Sequence, residues 1–320
     1  MKRYTFYLKL VLLFIIFYWI IKSVNLKDTI SLLSRTNLLY LFIAFILSNI
    51  SNLFLTIKWQ RLSAPLKIKS SFCDLLKLNY ISTFYSSFLP GQSTGELIKG
   101  LKLAKKESSG QKVWVPIFVD KMTNLLMVFI IACIAIASDA TFKTNKMLVS
   151  TILFLTFLFS LLTIILFSEN TKHLINFLKD KTVKFLRFVR LPTKQLESFS
   201  LSYLESYKKH NLLMFETLIW SALVKLPHVF AIYFLALSLH INLNVIQCAW
   251  LFSIVSIATL IPISFSGLGV RESTLIVILS KIGIEKFNSL SLSLLIFFIG
   301  ILIALIGGLL ELIQSIKEHK

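Results

Sequence analysis

Long apolar runs alternate with short polar and basic segments along most of the chain. A helix needs about 20 predominantly apolar residues to cross a bilayer, and such runs are the main sequence signal for spanning helices. Hydropathy predicts spans at residues 10–21, 38–57, 113–137, 148–167, 212–239 and 290–313. The pattern therefore predicts an all-α polytopic membrane protein with about six spanning helices.

Two further apolar stretches do not fit a simple span. Residues 72–89 carry Asp74, Lys77 and several serines, and the apolar run at 245–261 is followed after a break by a run of only about 12 residues, at 273–284. Lipid cannot hydrogen-bond a bare backbone, so an irregular segment at membrane depth must be buried in protein or line a wet cavity. We therefore expect two re-entrant hairpins, at 72–99 and 245–284.

The order of these elements repeats. Residues 10–137 read span, span, hairpin, span and begin inside, whereas residues 148–313 show the same order and begin outside. An inverted repeat of this kind is typical of secondary transporters, in which broken helices from the two halves meet near the bilayer midplane. The sequence thus predicts one integral membrane domain over 1–320 built from two inverted repeats.

Composition agrees with this class: 56% of the 320 residues are hydrophobic, and the mean hydropathy is +0.79. A formal charge of +19 would suggest nucleic acid as the partner of a soluble chain. Here the bases lie between apolar runs, where they orient the protein and meet anionic lipid. Anionic membrane lipid, and not nucleic acid, is therefore the expected partner. A membrane or cytoplasmic protein partner and the oligomeric state are left open.

The distribution of charge also predicts the topology. The segment 169–209 holds nine bases against four acids, and a basic cluster of Lys58, Arg61, Lys67 and Lys69 follows the second span. Under the positive-inside rule both segments face the cytoplasm. Residues 10–21 lack a cleavage site and are interpreted as an uncleaved signal anchor. We expect a multi-pass protein of the inner (plasma) membrane with both termini in the cytoplasm. The cytoplasmic loop 169–209 has an amphipathic pattern, which fits either an interfacial or a solvated helix.

Candidate chemistry is concentrated at the two breaks, each of which combines proline, glycine and glutamate with a base. Helix N-termini at such breaks offer free amide groups to anions. The simpler interpretation is that Gly and Pro only turn the chain and that the glutamates compensate a helix dipole. The candidate lipid-binding or anion-binding residues here are Pro90, Gly91, Gly95, Glu96, Lys99, Pro262, Gly267, Gly269, Arg271 and Glu272.

Three more candidates are charges inside predicted spans. Asp120 and Lys121 lie about two turns into the third span, and Lys225 lies near the centre of 212–239, just before Pro227. Charged side chains inside a membrane are costly and need a partner, so each one indicates a functional position. Lys225 is expected to need a buried acid, water or a bound anion. His228, in contrast, is expected to be a core residue.

At these residues the sequence resembles the transmembrane region of the lysylphosphatidylglycerol synthetases and the related stand-alone membrane proteins, often described as flippase-like. The resemblance spans nearly the whole chain. Its most specific parts are Pro-Gly-x-x-x-Gly-Glu at the first break and Pro-x-x-x-x-Gly-x-Gly-x-Arg-Glu at the second. Between them the family tends to have an arginine followed shortly by an acid, where this chain has Lys121 and Asn124, with Asp120 preceding.

The resemblance implies handling of anionic lipid, either phospholipid or polyprenyl-linked, including its movement between leaflets. On this hypothesis Arg271, Lys225 and Lys99 meet a phosphate, while Glu96 and Glu272 hold those bases and the glycines of both hairpins approach a shared site. Aminoacyl transfer is not implied, because in the synthetases it belongs to a soluble domain after the membrane region. Only residues 314–320 follow the last predicted span, so this domain is not expected here.

Two other functions remain open: an intramembrane transferase acting on a lipid phosphate, and a non-transporting accessory subunit of lipid or glycan assembly. The first could use paired carboxylates and bases, but the sequence shows no nucleophile–base motif and no clustered metal-ligand spacing. Its three cysteines are isolated. We therefore expect no enzyme activity, no catalytic residue, no metal and no cofactor.

Overall fold

A computed structural model describes residues 36–89, 94–107, 110–139, 207, 211–260, 267 and 269–317, together with 150–151, 153–154, 156–158 and 160–161. Within these residues the regular structure is helical throughout. The described α-helices are α1 (Leu38–Ser63), α2 (Phe72–Phe88), α3 (Thr94–Ala104), α4 (Trp114–Ser138), α5 (Asn211–Ser238), α6 (Val245–Ala258), α7 (Val270–Ser280) and α8 (Lys286–Lys317). Short 3₁₀ helices occupy Ala64–Leu66 and Gly110–Val113.

Four helical stretches of the described chain are long and apolar enough to cross a membrane. They are Leu38–Leu66, Gly110–Ser138, Leu212–Ser238 and Lys286–Lys317, and they coincide with four of the six predicted spans. The predicted span at 10–21 lies outside the described residues. The described residues between 150 and 161, within the predicted span 148–167, are helical. The chain is thus an all-α, multi-pass membrane protein.

Shorter helices occur in pairs at both predicted breaks. The first pair, α2 and α3, has 17 and 11 residues, and the second pair, α6 and α7, has 14 and 11. Helix α6 begins with a capping box in which Asn244 and Gln247 each accept the other's backbone N–H, at 2.8 and 3.0 Å. The pairing agrees with the predicted hairpins, whose re-entrant path stays a prediction.

Helix α7 starts three residues earlier than the apolar run at 273–284 indicates, and it ends at Ser280. The early start has a local cause, because the Glu272 carboxylate accepts the Gly269 N–H at 2.5 Å. A carboxylate in the first turn satisfies one of the free amide groups at a helix N-terminus. Charged residues that hydropathy places before the helix therefore belong to its first turn.

Helix α1 exposes large apolar side chains and buries small polar ones. On α1 the apolar side chains of Leu38, Leu39 and Phe42 are exposed, whereas Ser48 and Thr56 are buried. Extended exposed apolar surface marks an interaction with membrane or protein, and small polar residues in membrane helices pack between helices. This exposure is the arrangement expected of a helix whose outer face contacts lipid.

The described chain divides into two compact units. The first comprises the described parts of Met1–Leu53, Leu76–Ile98 and Leu226–Lys320. Within it, Phe84 and Phe88 of α2 pack with Ala304 of α8, and α7 contacts both α6 and α8. In α8, a Cβ at Gly307 or Gly308 would lie 2.0 or 2.9 Å from atoms of α2, whereas a Cβ at Gly300 would meet no described atom within 4 Å.

The second unit comprises the described parts of Phe54–Leu75 and Lys99–Lys225. Here the Glu107 carboxylate accepts the Lys69 N–H at 2.9 Å and the Lys112 ammonium at 2.6 Å, so it joins the segments that follow α1 and α3. The hydrogen bond from Lys112 lowers the pKa of Glu107, which keeps this carboxyl charged at neutral pH. Tyr207 donates its hydroxyl to the Leu62 carbonyl at the end of α1.

Candidate functional site

Arg271 lies in the first turn of α7, directly after the second break, and its side chain is buried. Its Nε donates to Ser293 Oγ at 3.0 Å, and its Nη2 lies 2.9 Å from Glu272 Oε1. Ser293 Oγ donates in turn to the same Glu272 oxygen at 2.9 Å. The guanidinium carbon lies 5.1 Å from the centre of the Phe297 ring. We call Arg271, Glu272, Ser293 and Phe297 the Arg271 network.

This network fixes a cation next to a helix N-terminus. Ser293 and Phe297 are four residues apart and so lie on one face of α8, where both contact the guanidinium. Within the described chain the two hydrogen bonds use two of the five N–H groups of the guanidinium. The other three N–H groups have no acceptor among the described residues. A guanidinium oriented in this way suits a phosphate, which it can bind through two parallel hydrogen bonds.

The glycines of the second break have different surroundings. Gly267 and Gly269 have φ values of +77° and +83°, a region that L side chains rarely adopt. A Cβ at Gly267 would lie 2.8 Å from the Thr259 side chain, whereas a Cβ at Gly269 would meet no described atom within 4 Å. None of the described residues therefore packs against Gly269, which stands at the start of the helix that carries Arg271.

At the first break, Gly95 packs against helix α2. A Cβ at Gly95 would lie 1.9 Å from the Ser82 carbonyl oxygen of α2, and the Gly95 N–H donates to Ser86 Oγ at 3.2 Å. Close packing of α2 and α3 thus requires glycine at this position. Glu96 follows in the first turn of α3 and is half-buried. Gly95 and Gly269 therefore occupy different environments, although the motifs that contain them look alike in sequence.

A second buried polar group lies in the second unit, and we call it the Lys58 cluster. It consists of two lysines, one aspartate, a tryptophan and two small polar residues. Lys58 Nζ is fully buried and lies 2.7 Å from Asp120 Oδ1, 2.9 Å from Thr123 Oγ1 and 3.1 Å from Asn124 Oδ1. Trp59 Nε1 donates to Asp120 Oδ2 at 3.1 Å, and Lys99 Nζ lies 3.3 Å from the centre of the Trp59 ring.

The cluster contains Asp120 and Lys99, both predicted as site residues, and brings them together with Lys58. A lysine is almost never fully buried unless it is paired, and Lys58 has this pairing. Lys58 thus differs from Arg61, Lys67 and Lys69, the other bases predicted to form one cytoplasmic cluster, because those three are exposed. The Asn124 amide also donates to Asp120 Oδ1, at 3.0 Å.

The remaining predicted site residues are two lysines of the long helices and three residues outside the described chain. Lys121 and Lys225 are half-buried, and both interact with neighbouring groups. His228 makes a 2.9 Å hydrogen bond with Ser51 Oγ and stacks on Phe252, as expected of a packed core residue. The predicted site residues outside the described chain are Pro90, Gly91 and Pro262.

Sequence reasoning did not identify Lys58, Trp59 or Ser293 as members of a site. An available signal for the first two was Asp120 itself, because an acid inside a predicted span requires a buried base or donor. The sequence does not say which one, since Lys58 and Asp120 are 62 residues apart. Ser293 carried no signal, because serines occur at several other positions of the same predicted helix.

Comparison with known proteins agrees with this architecture. The family described as lysylphosphatidylglycerol synthase TM region matches residues 6–308. The chain is also similar to the UPF0104 membrane protein PH1989 of Pyrococcus horikoshii, with 24% identity over 98% of this chain and 97% of that protein. No solved structure matches the chain significantly. Because the family match covers nearly the whole chain, the protein belongs to the lysylphosphatidylglycerol synthase transmembrane-region family.

Proposed function

We propose that this protein binds the phosphate of an anionic membrane lipid, phospholipid or polyprenyl-linked, and moves the lipid between leaflets without changing it chemically. The observation that carries the proposal is the Arg271 network. A buried guanidinium stands at the N-terminus of a short helix, in a chain whose long helices expose apolar side chains. Family membership supports a role connected with membrane lipid.

The position of Arg271 matters because a charge inside a membrane protein is costly. Such a side chain faces the protein interior or a wet cavity and marks the path of a substrate or ion. Glu272 neutralises Arg271 when the site is empty, and an incoming phosphate competes with Glu272 for the guanidinium. Exchange between two acceptors of similar strength allows release as well as binding, and translocation requires both.

The proposed path uses the two pairs of short helices. We propose that α2 with α3, and α6 with α7, are the re-entrant hairpins of an inverted repeat with six spans. The exposure of side chains on helix α3 supports its position at membrane depth, because Leu97 and Leu101 are 46% and 47% exposed while Lys99 is 3% exposed. A helix at a water surface would show the opposite pattern.

Arg271→Gln is expected to reduce leaflet exchange of labelled phosphatidylglycerol in proteoliposomes by about tenfold or more. A hydrogen bond to a charged group contributes roughly 1.5–3 kcal/mol, and 1.4 kcal/mol corresponds to about tenfold in an equilibrium constant. Arg271→Lys should retain only part of the activity, because lysine lacks the planar fork. Dithionite quenching of a fluorescent headgroup in the outer leaflet measures the exchange.

Lys281→Gln is the matched control for this test, because Lys281 is exposed at the other end of α7. Lys225→Met belongs in the same assay, since a lysine in the middle of a span should also be needed for lipid handling while insertion is preserved. Exchange at the wild-type rate in a well-inserted Arg271→Gln protein would contradict the proposal. Mass spectrometry of the recovered lipid separates translocation from the transferase alternative, and a wild-type protein that gives neither leaflet exchange nor chemical change would favour the accessory alternative.

The proposed topology makes a separate prediction. In a background without the native cysteines, Phe185→Cys should react with a membrane-impermeant maleimide only after the membrane is permeabilised. Asn242→Cys, in the exposed loop between α5 and α6, should react in intact cells. Both results follow from the positive-inside rule applied to the basic segment 169–209. Labelling of position 185 from outside would reject this orientation.

A further inference from the structure

Glu272 is held by donors from three different residues, and only one of them is Arg271. Its Oε2 accepts the Gly269 N–H, and its Oε1 accepts both the Ser293 hydroxyl and Arg271 Nη2, each at 2.9 Å. Gly269 belongs to the start of α7 itself, and Ser293 belongs to α8, which packs against α7. The carboxylate therefore keeps its position even when another acceptor takes its hydrogen bond from Arg271.

The contacts of Arg271 also show which edge of the guanidinium an added acceptor would use. Ser293 Oγ on Nε and Glu272 Oε1 on Nη2 are hydrogen-bonded to each other, so together they occupy the Nε–Nη2 edge. The opposite edge, formed by Nη1 and Nη2, can donate two parallel hydrogen bonds to two oxygens of one phosphate. A phosphate bound in this way would lie next to Glu272, on the same planar group.

The charges at this position limit the charge of the ligand. Arg271 and Glu272 together carry no net charge, and their side chains are only 9% and 16% exposed, so salt screens them weakly. A phosphodiester has one negative charge and two unesterified oxygens, which is the number that a fork of two N–H groups binds. A phosphomonoester carries a charge of about −1.5 to −2 at neutral pH. Its additional charge would face the Glu272 carboxylate, and like charges in close proximity repel.

We propose that Glu272 is a specificity-determining residue, which makes the Arg271 network selective for a lipid phosphodiester over a lipid phosphomonoester. This inference rests on the proposed function and deepens it, because it names the class of phosphate that the same site takes. Phosphatidylglycerol is such a diester, whereas phosphatidic acid and a polyprenyl monophosphate are monoesters. The preference comes from repulsion of the second charge and requires no contact with the rest of the headgroup.

The test compares two lipids with the same acyl chains, phosphatidylglycerol and phosphatidic acid, in binding to the purified full chain in detergent. At about pH 8 the monoester is almost entirely doubly charged, since its second pKa is near 6. We expect the wild type to bind phosphatidylglycerol about tenfold or more tightly than phosphatidic acid, which is a modest effect for one extra like charge at close range.

Two variants of Glu272 separate its charge from its structural role. Glu272→Gln removes the charge and keeps an oxygen that can accept a hydrogen bond, so the preference for phosphatidylglycerol should fall by about tenfold. Glu272→Asp keeps the charge and should retain the wild-type order of affinities. Glu285→Gln, at an exposed acid between α7 and α8, is the matched control and should bind both lipids as the wild type does.

Native mass spectrometry and a competition titration measure the affinities, and size-exclusion elution establishes that each variant is folded. Equal affinity of the wild type for the two lipids, or a preference for phosphatidic acid, overturns this inference without any variant. An unchanged ratio of affinities in folded Glu272→Gln also overturns it. If Arg271→Gln still weakens binding of both lipids in those cases, the proposed function survives. If the wild type binds neither lipid better than phosphatidylcholine, the proposed function fails and this inference fails with it.

Discussion

Asp120→Ala is expected to destabilise the protein by about 3–5 kcal/mol, the usual cost of removing one partner from a buried ion pair. The loss is large because Lys58 is fully buried and would lose its carboxylate partner, and because Trp59 and Asn124 also donate to this carboxylate. Thermal unfolding of the detergent-purified protein, followed by tryptophan fluorescence, would measure the loss.

The double variant Lys58→Met/Asp120→Leu provides the diagnostic comparison. Replacing both members of a buried pair by apolar residues is often close to neutral, so the double variant should recover much of the stability that Asp120→Ala loses. Glu285→Gln, at an exposed acid, is the control and should change little. Equal stability of Asp120→Ala and the wild type would mean that the pair is accessible to water and does not organise the cluster.

Gly307→Ala is expected to separate α8 from α2 and to destabilise the first unit by about 1–3 kcal/mol, the range for overpacking a tight contact. A Cβ at Gly307 would lie 2.0 Å from the Tyr80 carbonyl oxygen, and a backbone oxygen cannot rotate away. Small residues allow membrane helices to approach this closely. The melting temperature should fall, and disulfide cross-linking between cysteines placed on α2 and α8 should become slower.

The same helix supplies the control for this prediction. A Cβ at Gly300 would meet no described atom within 4 Å, so Gly300→Ala should be neutral or slightly stabilising, given the higher helix propensity of alanine. A similar loss in both variants would attribute the effect to general helix properties and not to the contact with Tyr80. Gly95→Ala offers an independent repeat, since its Cβ would lie 1.9 Å from the Ser82 carbonyl oxygen.

The Arg271 network and the glycine contacts show which conclusions a sequence motif supports and which it does not. The motifs around Gly95 and Gly269 look alike, and the hypothesis of a shared phosphate site treated them as equivalent. The structure gives Gly95 a packing role against α2, whereas a Cβ at Gly269 would meet no described atom within 4 Å. A glycine in a motif indicates only that a side chain is excluded at that position. Whether a helix, a ligand or a φ value excludes it depends on what lies nearby in space.

The sequence by itself determined the class of the protein and most of the described helices. The four long helices were predicted to within a few residues at most ends, and both breaks fall between pairs of short helices, as expected. These features are local, because the length of an apolar run and a proline or glycine within it act on the backbone at that point. The position of Asp120 inside a predicted span also indicated that this residue needs a partner, and the structure gives it one in Lys58.

Only the tertiary structure decided which groups meet. Asp120 pairs with Lys58 and Trp59 of α1, although Lys121 is its neighbour in sequence, and Arg271 finds Ser293 on α8. Gly307 and Gly308 contact α2, whereas Gly300 on the same helix does not. Which residues meet in each case depends on the rotation and register with which two helices pack. Those quantities come from the sum of many weak contacts along both helices, and no short stretch of sequence contains them.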